Sequence, residues 1–218
     1  MNNNNVPQEV TVCEEEKDLG VTFDKELNFS SHINQSISTA KRILSMTKRA
    51  FKFLDKESII TIYKALIRPH LEYGNIIWSP IYKKHSKAIE KIQRQLTKTI
   101  PGLKDMTYEN RLKILKLPSL KHRRRRGDLI ETYTILKGVV QVNKVFTPAI
   151  NDTTRNNSKK IFTPFVYKPL RQNFLPFRVA RRWNKLSKDI VDAESTNRFK
   201  NLLDEDQVFS SLKYEYDK

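Results

Sequence analysis

From Ser31 onward the apolar residues Ile33, Ile37, Ala40, Leu44, Thr47, Phe51 and Leu54 return at alternating steps of four and three. A line with that period can be buried only by a helix, because a strand would send alternate members to opposite faces. Ser30 or Ser31 is the natural N-cap. A second helix opens at Asp55, with Ile59, Ile62, Tyr63, Leu66, Ile67 and Leu71 on its inner side, and Pro69 is expected to kink or end it. After the Trp78-Ser79-Pro80 breaker a third helix is expected from about Lys84 to Ile100, with Ile89, Ile92, Leu96 and Ile100 inward and Pro101-Gly102 stopping it. A fourth covers Tyr108 to Leu117. A fifth runs from about Ser119 to Lys137 and ends at Gly138.

The flanks read differently. Val10 and Val12 alternate with polar neighbours, an acidic turn follows from Glu14 to Asp18, and Leu19-Gly20-Val21-Thr22-Phe23-Asp24 resumes the alternation. This predicts a hairpin with Gly20 at a bulge or close approach. Two strands alone are only marginally stable, so the pair requires a partner. Residues 141–160 carry turn chemistry without periodicity and read as a mobile linker or surface loop. β-like segments around Ile161 to Tyr167 and Gln172 to Phe174 precede two helices, about Phe177 to Val191 and Thr196 to Leu203, and a frayed acidic tail. The expected fold is mainly α: a small N-terminal β-hairpin in 1–30, a basic bundle of about five helices in 31–140, a linker in 141–160 and a short α/β region in 161–218.

Charge divides the chain more sharply than hydropathy does. Between Ser31 and Arg126 there are 23 Lys and Arg against 6 Asp and Glu, so this segment holds the whole net charge of +17 and the remainder sums to zero. A positive field confined to one segment suits phosphate or an anionic surface, since it steers association and releases counterions on binding. Other classes fall away. The single Cys13 allows no internal disulfide, and His32, His70, His85 and His122 are scattered without metal-ligand spacing. All five glycines are isolated, so there is no glycine-rich phosphate cradle. The opening MNNNNVPQEV has neither the basic nor the apolar region of a secretory signal, and no apolar run approaches the roughly 20 residues of a membrane span. An intracellular protein, nuclear or cytoplasmic, is therefore expected, with the run Lys121 to Arg126 able to serve as a nuclear signal.

Two groups of cations are candidates for phosphate contact. On the third helix Lys87, Lys91, Arg94 and Lys98 are spaced by four, three and four, which lines them along one side with Glu90 as the only acid on that helix. The plainer alternative is a solvated helix face. The second group is Lys121 with Arg123, Arg124, Arg125 and Arg126, where four arginines span little more than one turn and cannot all face the core. Such crowding repels itself unless anions sit nearby, or unless Asp128 or Glu131 pairs with one or two of the four. Tyr73, Trp78, Tyr82 and Tyr108 offer rings that can stack on bases or pack in the core, and packing is the better reading for Trp78. No group of carboxylates builds an active site, and the acidic stretch Asp204-Glu205-Asp206 reads as solvated.

Laid end to end, these segments resemble the C-terminal part of reverse transcriptases from non-LTR retrotransposons of the jockey and CR1 type. Lys17-Asp18-Leu19-Gly20-Val21, followed by Leu27-Asn28-Phe29 and His32-Ile33, resembles the stretch that leads from palm to thumb. Tyr63-Lys64-Ala65-Leu66-Ile67-Arg68-Pro69-His70-Leu71-Glu72-Tyr73-Gly74 with Trp78-Ser79-Pro80 resembles the family's most recognisable signature. Ile89-Glu90-Lys91-Ile92-Gln93-Arg94, then Ile100-Pro101-Gly102-Leu103, then Arg123 to Arg126 with Gly127-Asp128-Leu129-Ile130-Glu131, continue the order. Phe177-Arg178-Val179, Trp183-Asn184-Lys185-Leu186 and Phe199-Lys200 complete it, with Ser187 standing where the family has proline.

The resemblance implies a palm-edge hairpin comparable to the primer grip, with Leu19 and Gly20 near the primer terminus. The helical block would be a thumb that tracks a template-primer duplex. The family's catalytic aspartates have no counterpart here and would precede Met1, so no catalytic or metal-binding residue is assigned. Mg2+ belongs only to the complete enzyme and no cofactor is expected in this chain. The implied partners are nucleic acid and a separate fingers-palm portion, with no membrane and no small-molecule substrate. The alternatives are a transposon relic without activity, and a helical protein that binds a membrane surface or a partner.

Overall fold

The computed structural model describes residues 12–51, 55–142, 145–149 and 159–217. It opens with an antiparallel hairpin of β1 (Glu15–Asp18) and β2 (Val21–Asp24), in which Asp18 faces Val21 across a two-residue loop. Leu19 and Gly20 both take positive φ, 45° and 81°, as a tight hairpin turn of matching twist requires. The acidic segment expected as a turn is thus itself the first strand. Val12 is exposed and unpaired in the ladder, and Val10 lies outside the described residues. Gly20 is no bulge, but the close approach is real: a Cβ there would lie 3.2 Å from Cε1 of Tyr73.

Helix α1 (Ser30–Ala50) begins one residue earlier than a serine cap would allow, with Phe29 at the cap in a left-handed conformation. The Asp24 carboxylate organises this entry by accepting the N–H groups of Glu26 (3.1 Å), Asn28 (3.1 Å) and Phe29 (2.6 Å). Ile33, Ile37, Ala40 and Leu44 are buried as their spacing predicts, whereas Thr47 is only half-buried and Phe51 is exposed, so the last turns of α1 run past the core. Leu54 lies outside the described residues.

The second pattern is one helical rod with an irregular middle: α2 (Lys56–Ile62), a π-helical turn over Tyr63–Ile67 and α3 (Arg68–Glu72). Asp55 caps it, accepting the Ser58 N–H at 2.6 Å. Ile59, Tyr63, Ile67 and Leu71 are buried at uniform steps of four, and the wide turn supplies the extra residue that keeps them on one face. The same turn carries Pro69 without breaking the rod, because Arg68 N–H reaches back to Tyr63 O and Pro69 falls in the first turn of α3. Leu66, expected inside, is exposed for this reason.

Short α4 (Asn75–Trp78) leads to α5 (Lys83–Thr97), α6 (Tyr108–Leu115) and α7 (Leu120–Leu136). Ile89, Ile92, Leu96 and Ile100 are buried together with Tyr63, Trp78, Leu112 and Leu120 in a first apolar cluster. A second cluster starts on α7 at Leu129 and Tyr133 and gathers Trp183, Ile190 and Phe199. It is built from α9 (Leu175–Trp183), α10 (Lys188–Val191), α11 (Thr196–Glu205) and α12 (Gln207–Ser211), with short α8 (Pro169–Asn173), which buries no residue, leading into α9. Helix α7 therefore serves both clusters.

Two expectations for the C-terminal third, the β-like segments and the frayed tail, are corrected. Gln172 and Asn173 belong to α8, not to a β-like segment, and Ile161 makes only an isolated bridge to Pro148. Within the stretch expected as a mobile linker or surface loop, Thr147 O accepts from Phe162 N at 2.8 Å and Ala149 N donates to Lys160 O at 3.0 Å. The tail is docked as well: Ser119 N donates to Lys213 O (2.9 Å), Ser119 Oγ to Glu215 O (2.5 Å), and the Tyr216 ring packs edge-on against Tyr108. No described helix is long and apolar enough to cross a membrane.

Candidate nucleic-acid interface

Helix α5 separates its cations from its core side cleanly. Lys87, Lys91, Arg94 and Lys98 are exposed and, with Gln95, Arg111 and Asp217, line an open hollow of about 440 Å3. None of these four cations joins an ion pair among the described residues. Arg94 lies over the rings of Tyr108 and Tyr216 at 5.0 and 5.1 Å, which leaves its charge available while fixing its position.

The one acid on this helix does not neutralise the row. Glu90 is buried on the flank beside the row, where it accepts from Tyr108 Oη (2.6 Å) and from the first N–H groups of α7 at Leu120 and Lys121 (3.3 Å each). Burial pushes its carboxyl above the usual range, against those bonds and the nearby Arg124. Gln93 extends the network, accepting from Tyr63 Oη and donating to Tyr108 Oη (3.0 Å) and Pro118 O (3.1 Å). A polar seam under α5 thus locks α6 and α7 in place and holds the row at a fixed orientation.

The arginine run on α7 meets anions supplied by the chain itself. Arg123 makes a two-bond fork with Glu72, Arg125 with Glu215 (2.6 and 3.3 Å) and Arg126 with Asp204 (2.7 and 2.8 Å). Lys121 reaches Glu215 and Asp217 at 2.8 and 2.7 Å. Hydrogen bonding from Arg125 holds the Glu215 carboxyl down at about 2. Arg124 points inward and donates to Ser86 Oγ at 2.8 Å. Asp128, proposed as a partner for the run, is instead taken by Arg178. The crowding seen in the sequence is relieved by partners 51 to 96 residues away, which no local pattern announces.

The aromatic candidates also separate. Trp78 is fully buried and Tyr108 nearly so, while Tyr73 and Tyr82 are exposed. Tyr73 Oη donates to Leu19 O (2.8 Å) and Trp78 Nε1 to Tyr73 O (2.5 Å), so this motif braces the hairpin turn against the helical block. Leu19 itself stands 82% exposed at the tip. Sequence reasoning missed Arg111, which is buried beside the row and bonds Thr97 Oγ1 (3.1 Å) and Met106 O (2.7 Å). It also missed Lys83 and Arg182, which line a second cationic cavity. Among the described residues no three His, Cys, Asp or Glu side chains converge to hold a metal.

Over 128 residues, 54% of its length, the chain is 30% identical to a probable RNA-directed DNA polymerase from the transposon X-element of Drosophila melanogaster. It spans only 14% of that polymerase. It is also 24% identical over 132 residues to an uncharacterized protein of Caenorhabditis elegans, covering 59% of this chain and 67% of that protein. No family model and no solved structure matches. The first similarity supports a relationship with a transposon reverse transcriptase.

Proposed function

We propose that this chain is the thumb and following C-terminal part of a non-LTR retrotransposon reverse transcriptase of the jockey and CR1 type, and that it grips a template-primer duplex through α5. The observation that carries this is the contrast between the two cation groups. The α7 arginines are consumed by internal carboxylates or buried, whereas Lys87, Lys91, Arg94 and Lys98 stay exposed along one side of a rigid helix and join no ion pair among the described residues. Evenly spaced free cations suit a phosphate backbone and read no sequence, as a polymerase thumb requires. Of the α7 run, Lys121 and Arg123 to Arg126 would add little direct contact, being paired internally or buried.

In this reading the Leu19-Gly20 turn, braced by Tyr73, lies at the primer terminus, and an intracellular site, nuclear or cytoplasmic, goes with it. Nucleotidyl transfer would require a separate fingers-palm portion with its Mg2+, and no catalytic step is assigned to these residues. The test is binding of a fluorescent RNA–DNA hybrid at low salt, with photoreactive side chains placed at Gln95 and, separately, at Leu19. The reading expects cross-links to the hybrid from Gln95 and to the primer 3′ end from Leu19. Absence of binding at low salt would overturn it.

A further inference from the structure

Beside the row, with Asp217 lining both, α5, α7 and α9 border an open cavity of about 200 Å3. Water occupies about 30 Å3 per molecule, so the space admits a tetrahedral oxyanion with some of its hydration. Six cations line it: Lys83 and Lys121, with Arg124, Arg125, Arg178 and Arg182. Two carboxylates oppose them. Asp128 is fully engaged by Arg178 through bonds of 3.0 and 2.6 Å, and Asp217 is drawn to Lys121 at 2.7 Å. Arg125 shares Glu215 with Lys121. Lys83, Arg124 and Arg182 are left with no carboxylate partner among the described residues.

Arg124 is the informative member. It is only 6% exposed, its Nη2 donates to Ser86 Oγ, and its Nη1 has no partner among the described residues. Glu90, Asp217, Asp128 and Glu72 all lie near enough to favour its charge, but none pairs with it directly, and Glu90 spends its oxygens on Tyr108 and the α7 backbone. A buried guanidinium N–H left without a partner costs free energy, and an anion bound beside the group would offset its desolvation. Burial pushes both Arg124 and Arg182 below the ordinary arginine range, and the nearby Arg125 adds to this at Arg182, while surrounding carboxylates favour both charges.

We propose that this cavity is a binding site for a phosphoryl dianion, either free phosphate or a terminal phosphate monoester. Guanidinium forks match its oxygens geometrically, and a dianion balances a surplus that a single carboxylate leaves standing. Asp217, at the rim, would compete with the ligand for Lys121.

The test is thermal stabilisation of the full chain by sodium phosphate against sodium chloride at equal ionic strength, with affinity measured by calorimetry. Wild type should be stabilised by phosphate, R182Q should bind it at least tenfold more weakly, and D217N should bind it more tightly. K83Q, at an exposed position, repeats the test if R182Q is poorly folded. Duplexes with a 5′-phosphate or a 5′-hydroxyl distinguish the source: a gain with the phosphate that R182Q abolishes assigns a nucleic-acid end, and equal affinities assign the free anion. Replacing Lys87, Lys91 and Lys98 should leave the phosphate response intact, which separates this site from duplex binding. Equal effects of phosphate and chloride, or unchanged phosphate affinity in both R182Q and K83Q, would overturn the proposal.

Discussion

Asp128 and Arg178 tie α7 to α9, and D128N measures how firmly. Arg178 binds both carboxylate oxygens of Asp128, and its remaining N–H groups donate to Asn173 O (2.7 Å) and Ile76 O (2.8 Å). The side chains are 9% and 7% exposed, so solvent screens little of the interaction. Removing one partner of a buried pair costs about 3–5 kcal/mol, because the other charge stays buried and unpaired. The two retained carbonyls and the Asn oxygen soften that loss, which puts D128N near the lower end, about 3 kcal/mol. For a chain of this length that lowers Tm by roughly 6–12 °C. Urea unfolding followed by tryptophan fluorescence reads each cluster, since Trp78 sits in the first and Trp183 in the second. The double replacement D128L/R178M, which removes both charges, should recover much of the loss. A cost below about 1 kcal/mol for D128N would place the pair with solvent-screened surface bridges and refute the reasoning.

Two further perturbations probe separate parts of the account. Burial holds His122 down at about 4, so between pH 6.5 and 4 the unfolded chain takes up a proton that the folded chain refuses. Stability contributed by the neutral ring is complete above pH 6.5 and is lost as pH falls. Denaturation at pH 7.5 and 5 should differ by about 2 kcal/mol more in wild type than in H122Q. Gly74 has φ 64°, and a Cβ there would lie 3.0 Å from Val21 Cγ2, so G74A should cost about 1–3 kcal/mol by urea titration and loosen the hairpin from the helical block.

Much of the helical block was legible because its information is local. The spacing of Ile33, Ile37, Ala40 and Leu44, and of Ile89, Ile92, Leu96 and Ile100, fixes which faces are buried, and all eight are. The mainly helical fold with a small N-terminal hairpin followed the same logic. Pro69 was harder, since periodicity does not reveal a π-helical turn that absorbs a missing N–H. The candidate site was half legible. Lys87, Lys91, Arg94 and Lys98 lie on one face because helical spacing puts them there. The α7 run depended on Glu72, Asp204, Glu215 and Asp217, which only the tertiary fold brings close. The acidic tail looked solvated for the same reason, although Lys121 and Arg125 hold it in place.

The central claim, that the α5 row grips a nucleic-acid backbone, is tested most directly by the salt dependence of duplex binding in wild type and in K87Q/K91Q/K98Q. Each phosphate contact on B-form DNA contributes a slope of about 0.9 in log K against log salt. Removing three should flatten the slope by about 2.7 and weaken binding at low salt. An unchanged slope in a folded triple variant would contradict the claim.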